Sequence, residues 1–403
     1  MIRRRVKITG IGPVTPAGIG REAFWQGIQE PVSRIQRFEK LGEEWGDFIA
    51  GVVDDDELKR ISNEIGAEYP RHLARHSWFG AAASARAVND AGLDLEELRK
   101  MTVALVVGTS VMDFGGITQS IRSVARRGLR GIKPRVVETA NVTHVATCIS
   151  KTLQISGFMQ SVQSSCCSGV DAIGMAADLI ALGEADVAIC GGSESPLFLH
   201  PMLEFRAAEL TPATIERAES HCRPFNMWRS TGTISEGASM VILEPEESPR
   251  PGYAFVSGHS FFSDRSGELC SGFTKSILGA LADAGIRKDQ VEVISASGPG
   301  HFKVDAAESK ALDEVFGQGF ESNASYSIKG AIGNALGGAQ AIQVAAAVLG
   351  LKFRVIPPTV NWSYPDPTVH LNLSGEVRRI EHEHTIINAH GMGGENATLV
   401  SSK

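Results

Sequence analysis

The chain has few cysteines, few aromatic residues and no long apolar run, and each shortage excludes a class of protein. Its 403 residues include six cysteines, none of them in a CxxC pair, so we expect no structural zinc site. So few cysteines in a long chain predict reduced thiols and a cytoplasmic location. No apolar signal core follows the N-terminal arginines, and no run of about 18 apolar residues predicts a membrane span.

Charge and motif content narrow the function further. The formal net charge of −7 argues against nucleic-acid binding, and no Walker A motif or GxGxxG motif follows a strand. The absence of a GxSxG elbow disfavours a serine hydrolase. We therefore expect neither a nucleotide site nor a bound cofactor. A composition of 43% hydrophobic and 21% charged residues is typical of a globular protein with a large core.

Strand-like and helical runs alternate along the chain, which predicts a layered α/β architecture. A unit of helix, Asp-Ala-Gly, loop and strand occurs twice, at 78–108 and at 274–296. This repetition indicates a duplicated fold, with chance use of glycine as a helix stop as the alternative. The join falls near residues 246–251. We therefore predict two halves, 1–250 and 251–403, that form one structural unit.

Cys166 is the candidate nucleophile. It lies in Ser-Ser-Cys-Cys-Ser-Gly, between a strand-like run (158–162) and a helical pattern that stops at Gly183. A helix N-terminus is worth up to about 2 kcal/mol to a thiolate, so we expect the pKa of Cys166 to fall from about 8.5 towards neutrality. We expect Cys167 beside it to be a packing residue.

Five motifs in this order resemble those of the β-ketoacyl-acyl carrier protein synthases I and II. They are the first strand and turn (8–18), the segment around Cys166, Arg-Pro-Phe-Asn (223–226) with Glu-Gly-Ala (236–238), Ser-Ile-Lys-Gly (327–330) with Gly-Asn (333–334), and the glycine-rich loop 388–396. The resemblance spans nearly the whole chain. It implies an α/β, thiolase-like fold in a duplicated five-layered αβαβα arrangement, and a dimer.

The resemblance also implies roles for single residues. Cys166 would accept the acyl group, and the N–H groups of Cys166 and Met392 would form the oxyanion hole. Lys329 matches the active-site lysine of the family, and Asp305 and Glu308 match the acidic pair that follows the first histidine motif. A structural ion-pair network is the alternative role of these last three residues.

The sequence departs from the family at both catalytic histidines. Ser297 takes the place of the first and Asn334 the place of the second. Both side chains can donate a hydrogen bond, but neither is a base near pH 7, and losing one preorganised donor typically costs about 100- to 1,000-fold in rate. We therefore expect acyl transfer onto Cys166 to survive and decarboxylative condensation with malonyl carrier protein to be impaired.

Two other histidines stand near these positions. His390 replaces a Phe of the family two residues before Met392. Both a catalytic role and simple packing stay open for it. His301 follows Ser297 by four residues, and we expect it to be structural. His382 and His384 have metal-like spacing without further ligands, so we expect them at a strand surface.

A run of basic residues that contains no acidic residue indicates a binding surface for a protein partner. Its members are Arg122, Arg126, Arg127, Arg130, Lys133 and Arg135. The resemblance implies that this stretch docks the acidic acyl carrier protein, and that Arg71 and Arg75 fall near a second docking stretch. A solvated loop is the alternative, although complementary charge would steer the encounter.

These observations predict a β-ketoacyl synthase-like acyltransferase of fatty acid or polyketide biosynthesis. It would form an acyl thioester on Cys166 and transfer or condense the chain with a Cys-Ser-Asn site. The alternative is a catalytically impaired partner subunit, similar to a chain-length factor, in a heterodimer with another ketosynthase. The retained cysteine favours the enzyme, and the missing histidines favour the partner subunit. Homodimer and heterodimer both stay open.

Overall fold

The computed structural model describes residues 4–64, 74–264, 267–317 and 323–403. The strands are β1 (Val6–Thr15), β2 (Gly18–Ile19), β3 (Ile35–Arg37), β4 (Ile49–Gly51), β5 (Val103–Gly108), β6 (Gly157–Val162), β7 (Val187–Glu194), β8 (Gly237–Pro245), β9 (Ala254–Ser263), β10 (Val293–Ser295), β11 (Ala324–Tyr326), β12 (Val355–Ile356), β13 (Arg378–Arg379), β14 (His384–His390) and β15 (Glu395–Ser402). The helices are α1 (Arg21–Gln29), α2 (Asp55–Glu64), α3 (Arg75–Asp90), α4 (Leu95–Leu98), α5 (Phe114–Arg127), α6 (Val136–Thr139), α7 (His144–Leu153), α8 (Ser168–Leu182), α9 (Leu199–Ala207), α10 (Leu269–Ala284), α11 (Phe302–Phe316), α12 (Lys329–Ile332) and α13 (Ala339–Phe353).

The main sheet shows the duplication directly. Its strand order is β11-β10-β14-β15-β9-β1-β8-β7-β5-β6, with β2 attached to β1. Read outward from the β9–β1 contact, β1, β8, β7, β5 and β6 match β9, β15, β14, β10 and β11. In each half the three outer strands are parallel and the two inner strands are antiparallel to their neighbours. The α/β fold with two equivalent halves is therefore confirmed.

Helices form three layers around the two half-sheets. In the middle layer, α8 packs on β5, β7 and β8 of the first half, on β9 and β15 of the second, and on its counterpart α13. The outer faces are covered by α3 and α7 on the first half and by α10 with α11 on the second. The result is the predicted αβαβα arrangement.

The two middle helices are also the most apolar in the described residues. The windows Ser165–Leu182 and Leu336–Phe353 are long and apolar enough to cross a membrane, yet 72% and 89% of these windows are buried inside the fold. In α13 every residue from Ala339 to Leu351 is buried. A helix that is apolar on all sides belongs in a protein core or a membrane, and here the two sheets surround it.

Local predictions agree with the structure in most places. β5 and β6 lie where the strand patterns placed them, and α8 ends at Leu182, with Gly183 in the left-handed conformation (φ 79°). The predicted join at residue 250 falls between the end of β8 and the start of β9. β10 ends at Ser295, one residue earlier than predicted, because the chain then turns into the loop that carries Ser297.

One surface prediction was wrong. His382 is buried, and its Nδ1–H donates to the carbonyl oxygen of Ile380 at 2.9 Å. His384 is only half-buried at the start of β14, where its Nδ1 lies 2.8 Å from Oγ of Ser402. Nδ1 of each imidazole therefore has a partner within the protein.

Candidate active site

Cys166 lies in the tight turn between β6 and α8. Ser165 before it has φ 54°, a left-handed conformation that a non-glycine residue keeps only under constraint. Hydrogen bonds supply the constraint. The Ser164 N–H donates to Oγ of Ser168 at 2.9 Å, that hydroxyl donates to the Ser165 carbonyl at 2.6 Å, and the Ser164 hydroxyl donates to Asp171. The turn therefore holds Cys166 in one position.

A small cavity of about 70 Å³ joins Cys166 to the other predicted residues. The predicted residues that line it come from distant parts of the sequence: Cys166, Ser297, Lys329, Asn334, His390 and Met392. Leu210, Ile234, Val304 and Leu336 supply its apolar wall, and His301 adds a second imidazole. The fold therefore brings all six predicted cavity residues together.

The glycine-rich loop between β14 and β15 lies against the nucleophile turn. A side chain at Gly391 would come within 2.9 Å of the Ser165 side chain. The loop is held by Glu395, whose carbonyl accepts the Gly391 N–H at 2.8 Å and whose carboxylate accepts the Gly393 N–H at 3.0 Å. Between these two residues, the N–H of Met392 has no acceptor among the described residues, and the N–H of Cys166 has none there either. An oxyanion hole needs a pair of uncommitted N–H donors, and these two N–H groups belong to residues that line the same cavity.

The acidic pair holds the loop that carries Ser297. Both carboxyls are fully buried. Glu308 accepts the N–H groups of Ser297 and Gly298 at 2.8 and 2.9 Å, and Asp305 accepts the N–H of Gly300 at 3.1 Å. Burial raises the pKa of both, that of Asp305 to about 7. These contacts make them positioning groups for the loop.

Lys329 begins the short helix α12 and is 2% exposed. Burial lowers its pKa, while the nearby thiol of Cys166 and the carboxyls of Glu308 and Asp305 act in the opposite direction. In return, the lysine charge favours ionisation of the Cys166 thiol. Lys329 is therefore the basic side chain in the wall of this cavity that, when protonated, favours the Cys166 thiolate.

The thiol itself does not have the expected pKa. Burial raises the pKa of Cys166 to about 11, against the smaller opposing effect of Lys329. α8 begins only at Ser168, and the N–H groups of Cys167 and Ser168 donate to the carbonyls of Ser164 and Ser165. Even a helix contribution of about 2 kcal/mol, or 1.5 pKa units, would leave the thiol protonated at pH 7. The prediction of a near-neutral thiol was wrong because it ignored burial.

Ser297 and Asn334, which the resemblance aligns with the family's two histidines, both line the cavity. Ser297 is 2% exposed, and Oδ1 of Asn334 is buried without a hydrogen-bond partner in the described part of the chain. Neither group exchanges protons near neutral pH. Across the described ranges no three His, Cys, Asp or Glu side chains are grouped so as to hold a metal ion.

The two cavity histidines differ in tautomer. His390 ends β14 opposite Asn396 in β15, and its Nδ1–H donates to Oδ1 of Asn396 at 3.0 Å. Asn396 is oriented by its own N–H donation to the Gly394 carbonyl at 2.9 Å. In His301 the roles are reversed, because Nδ1 accepts the Lys303 N–H at 3.3 Å and caps α11. In the neutral rings, Nε2 of His390 is consequently an acceptor and Nε2 of His301 is a donor.

Comparison with known proteins decides the family. Residues 3–248 match the family model for the β-ketoacyl synthase N-terminal domain, and residues 253–363 match the model for its C-terminal domain. The chain belongs to the β-ketoacyl synthase family.

Relatives and solved structures cover the full length. The 3-oxoacyl-[acyl-carrier-protein] synthase 2 of Coxiella burnetii is 28% identical and covers 100% of this chain and 99% of its own. A putative polyketide β-ketoacyl synthase 1 of Streptomyces halstedii is 30% identical, with 98% and 97% covered. The ishigamide ketosynthase/chain length factor superposes with a TM-score of 0.91 at 26% identity, over 100% of this chain and 99% of that one. The fold is therefore that of the ketosynthases, and the named synthases among these relatives are acyl-transferring enzymes.

Sequence reasoning missed two residues of this β-ketoacyl synthase site. Asn396 orients His390, and Glu395 holds the oxyanion loop. A signal for Asn396 was present, because a hairpin between β14 and β15 places residue 396 opposite residue 390.

The predicted docking residues fall into three groups. Arg126, Arg127, Arg130 and Lys133 are exposed on α5 and the turn after it, with Lys133 donating to Gln119 at 3.0 Å. Arg71 lies outside the described residues. Arg75 lies inside the fold and needs a correction.

Arg75 is committed to internal partners. Its Nε and Nη2 bind both carboxylate oxygens of Glu236 at 2.7 Å, its Nη2 also donates to the Val53 carbonyl at 3.0 Å, and its Nη1 pairs with Asp55. Glu236 is only 1% exposed, and Arg75 is its bidentate partner. The structure therefore gives Arg75 a structural role, and the docking prediction for it is withdrawn.

Replacing Arg75 by Met should destabilise the fold strongly. The change leaves the buried Glu236 carboxylate unpaired, which costs about 3–5 kcal/mol. Urea unfolding measures the loss. Arg287→Met is the matched control, because its pair with Asp289 is exposed at both ends (72% and 65%) and should contribute far less to stability than the Arg75–Glu236 pair. Equal losses in the two variants would contradict the assignment.

Asp305 should make stability depend on pH. Its folded-state pKa of about 7 lies above the unfolded value, so its contribution is complete at low pH and is lost as the pH rises from about 4 through about 7. Asp305→Asn removes this titration. Relative to wild type, the free energy of unfolding of the variant should fall less steeply with pH, by up to about 1.4 kcal/mol per pH unit.

Urea unfolding at about pH 4.5, 5.5 and 6.5 measures these slopes. Asp56→Asn is the control, because that carboxyl is almost fully exposed (94%). Parallel curves for wild type and Asp305→Asn would show that Asp305 is ionised throughout.

Proposed function

We propose that this β-ketoacyl synthase homologue is an acyltransferase that loads an acyl chain onto Cys166 from an acyl carrier protein. The observation that carries the proposal is that Cys166, Met392 and Lys329 line one cavity, and that the N–H groups of Cys166 and Met392 have no acceptor among the described residues. A thioester carbonyl bound there would be polarised by both N–H groups as sulfur attacks. This arrangement supports the roles of Cys166 and Met392 that the resemblance implies.

An apolar region next to Cys166 suits a long acyl chain. Cys166 belongs to a buried apolar cluster with Phe38, Leu197 and Met202, and Leu203 packs against it. Phe38, Leu197 and Leu203 also line a cavity of about 820 Å³, within the range of ligand pockets. This arrangement supports fatty or polyketide chains as the substrate class, which agrees with the names of the relatives.

The non-standard Cys-Ser-Asn site bears on the second half-reaction. Decarboxylation of a malonyl group builds an enolate oxygen that needs strong donors. Ser297 offers a hydroxyl and Asn334 an amide, and neither carries positive charge. We therefore propose that the site favours transfer of the loaded chain over decarboxylative condensation.

Surface features support two protein partners. The exposed basic run suits an acidic carrier protein, and a solved relative contains a type II polyketide acyl-carrier protein in complex with its ketosynthase. The edge strand β6 exposes Phe158 and Met159, and Ile121 of α5 is exposed as well. An unpaired edge strand with apolar side chains suits a subunit interface, so we propose a dimer, with itself or with another ketosynthase.

The second candidate function is that of a partner subunit in a heterodimer. The replacement of both histidine positions favours it, and the ishigamide relative is a ketosynthase/chain length factor. The retained thiol and the free amides favour catalysis. The acyl adduct on Cys166 separates the two functions.

Intact-mass analysis with acyl carrier proteins of several chain lengths tests the loading step. The native protein should gain the mass of one acyl group, and Cys166→Ala should gain none, because the adduct needs that sulfur. Cys167→Ala is the matched control and should still load, since Cys167 is buried with its Sγ 3.6 Å from the Glu395 carbonyl oxygen. No adduct with any donor, together with an altered product length when the chain is added to an active ketosynthase, would favour the partner subunit.

The basic run is tested by charge reversal. Arg126→Glu with Arg127→Glu, in the last turn of α5, should slow association with the carrier protein by about 10-fold at low salt, and the effect should shrink as salt screens it. Stopped-flow fluorescence measures the rate. Lys100→Glu, an exposed reversal outside the run, should change it little. Equal effects of the two reversals would contradict docking at α5.

A further inference from the structure

The proposed loading reaction lacks one component, an acceptor for the thiol proton. The buried Cys166 thiol is protonated at neutral pH, and its sulfur must lose that proton before it attacks a carbonyl. Ser297 and Asn334 are too weakly basic to accept it. Lys329 is positioned to stabilise the thiolate by its charge. Besides Lys329, the basic side chains in the wall of the cavity are the imidazoles of His301 and His390.

Two imidazoles line the cavity, and their hydrogen bonds decide between them. Nδ1 of His301 accepts the Lys303 N–H, so the proton of the neutral ring is on Nε2 and that nitrogen cannot accept another. Nδ1 of His390 donates to Asn396, so its Nε2 carries the lone pair, and no described residue donates to it. His390 also has the orienting partner that a working base requires.

The surroundings of His390 keep it neutral and fix its ring. Burial lowers its pKa, the nearby Lys329 acts in the same direction, and the contact with Asn396 and the charge of Glu395 oppose them. The ring packs on Phe273 with centroids 5.3 Å apart. A neutral imidazole in a fixed orientation is a suitable base near pH 7.

Resting on the proposed acyl-loading function, we propose that His390 is the general base of this site, oriented by Asn396, and that Cys166–His390–Asn396 directs the acyl group to an acceptor with an O–H or N–H group. His390 is the catalytic residue in this arrangement, and Asn396 is a positioning residue.

The chemistry balances in both steps. In loading, the Cys166 proton moves to Nε2 of His390, sulfur bonds to the acyl carbon, and the bond from that carbon to the carrier sulfur breaks. The imidazolium then returns its proton to the departing thiolate. In transfer, the acceptor gives its proton to Nε2, its oxygen or nitrogen bonds to the acyl carbon, and the bond to Cys166 breaks. The freed Cys166 thiolate takes the proton back.

The class of acceptor follows from the tautomer of His390, in which Nε2 accepts a proton. An alcohol, amine or water must lose a proton to react, and Nε2 can take it. A malonyl carbon nucleophile arises by loss of carbon dioxide and needs donors around its enolate oxygen instead. A lone pair at Nε2 offers no such donor. The His390 tautomer therefore matches oxygen and nitrogen nucleophiles.

The test compares acylation of wild type and His390→Phe by the octanoyl thioester of N-acetylcysteamine. Phe keeps the ring packing on Phe273 and removes the base. We expect the variant to acylate Cys166 at least about 100-fold more slowly at pH 7.5, measured by intact mass. Transfer from acyl-Cys166 to ethanolamine, which offers both an amine and a hydroxyl, should slow to a similar extent.

The pH profile separates a base from a structural residue. The wild-type rate should rise through the His390 pKa, below its ordinary 6.5, and then level off. His390→Phe should instead keep rising above about pH 9 as the thiol ionises. The charged or titratable groups that face His390 are Lys329, Glu395 and His301. His301→Phe is the matched control and should keep the wild-type profile whatever its rate.

A second variant keeps the test valid if His390→Phe does not fold. Asn396→Ala leaves the imidazole in place and frees its orientation, so it should slow acylation less than His390→Phe. If both variants match wild type in rate and pH profile, the proposal is overturned.

A third measurement separates this proposal from the proposed function. The pH dependence of Cys166 alkylation by iodoacetamide, followed by peptide mass, needs no acyl donor. If no thioester acylates the wild type but His390→Phe still shifts the pH profile of alkylation, the proposed loading function is wrong and the assignment of His390 as a base is supported. If the wild type is acylated and the pH profile of alkylation does not shift, only the assignment of His390 as the base is wrong.

Discussion

Burial of the Cys166 thiol is the constraint on which the rest of the site depends. The tight turn after β6 places the sulfur in the protein interior, where the thiolate loses the hydration it has in water. Its surroundings replace part of that hydration. A protonated Lys329 favours the thiolate, and in the proposed function the N–H groups of Cys166 and Met392 donate to the oxygen that becomes negative during attack. These groups offset the free-energy cost of burying the thiolate.

The duplicated fold makes that arrangement available. The first half contributes the nucleophile turn at the start of α8, and the second half contributes the loop of Ser297, the helix of Lys329 and the β14–β15 hairpin. The middle helices α8 and α13 pack on each other between the half-sheets, so the two sets of groups meet across one rigid layer. Glu308 and Asp305 then hold the Ser297 loop through backbone N–H groups. Rigid support of this kind keeps donors in place without reorganisation when charge develops.

The sequence predicted the fold and the membership of the site well, and the electrostatics less well. Strand and helix patterns located β5, β6 and α8, and motif order located Cys166, Lys329 and Met392. The thiol pKa could not be predicted, because burial depends on what packs around Cys166 and not on its distance from a helix start. Arg75 was misassigned for the same reason, since Glu236 lies 161 residues away in the chain. The tautomers of His390 and His301 depend on single hydrogen bonds to Asn396 and Lys303, which no motif encodes.

The central claim is that an acyl carbonyl on Cys166 is bound by two backbone N–H groups. Infrared spectroscopy of the Cys166 acyl-enzyme, loaded with an acyl group labelled with carbon-13 at its carbonyl, observes that bond directly. The account predicts a carbonyl stretch at clearly lower frequency than in the same acyl-protein after unfolding in urea, because both donors weaken the C=O bond. An identical frequency in the folded and unfolded acyl-protein would contradict it.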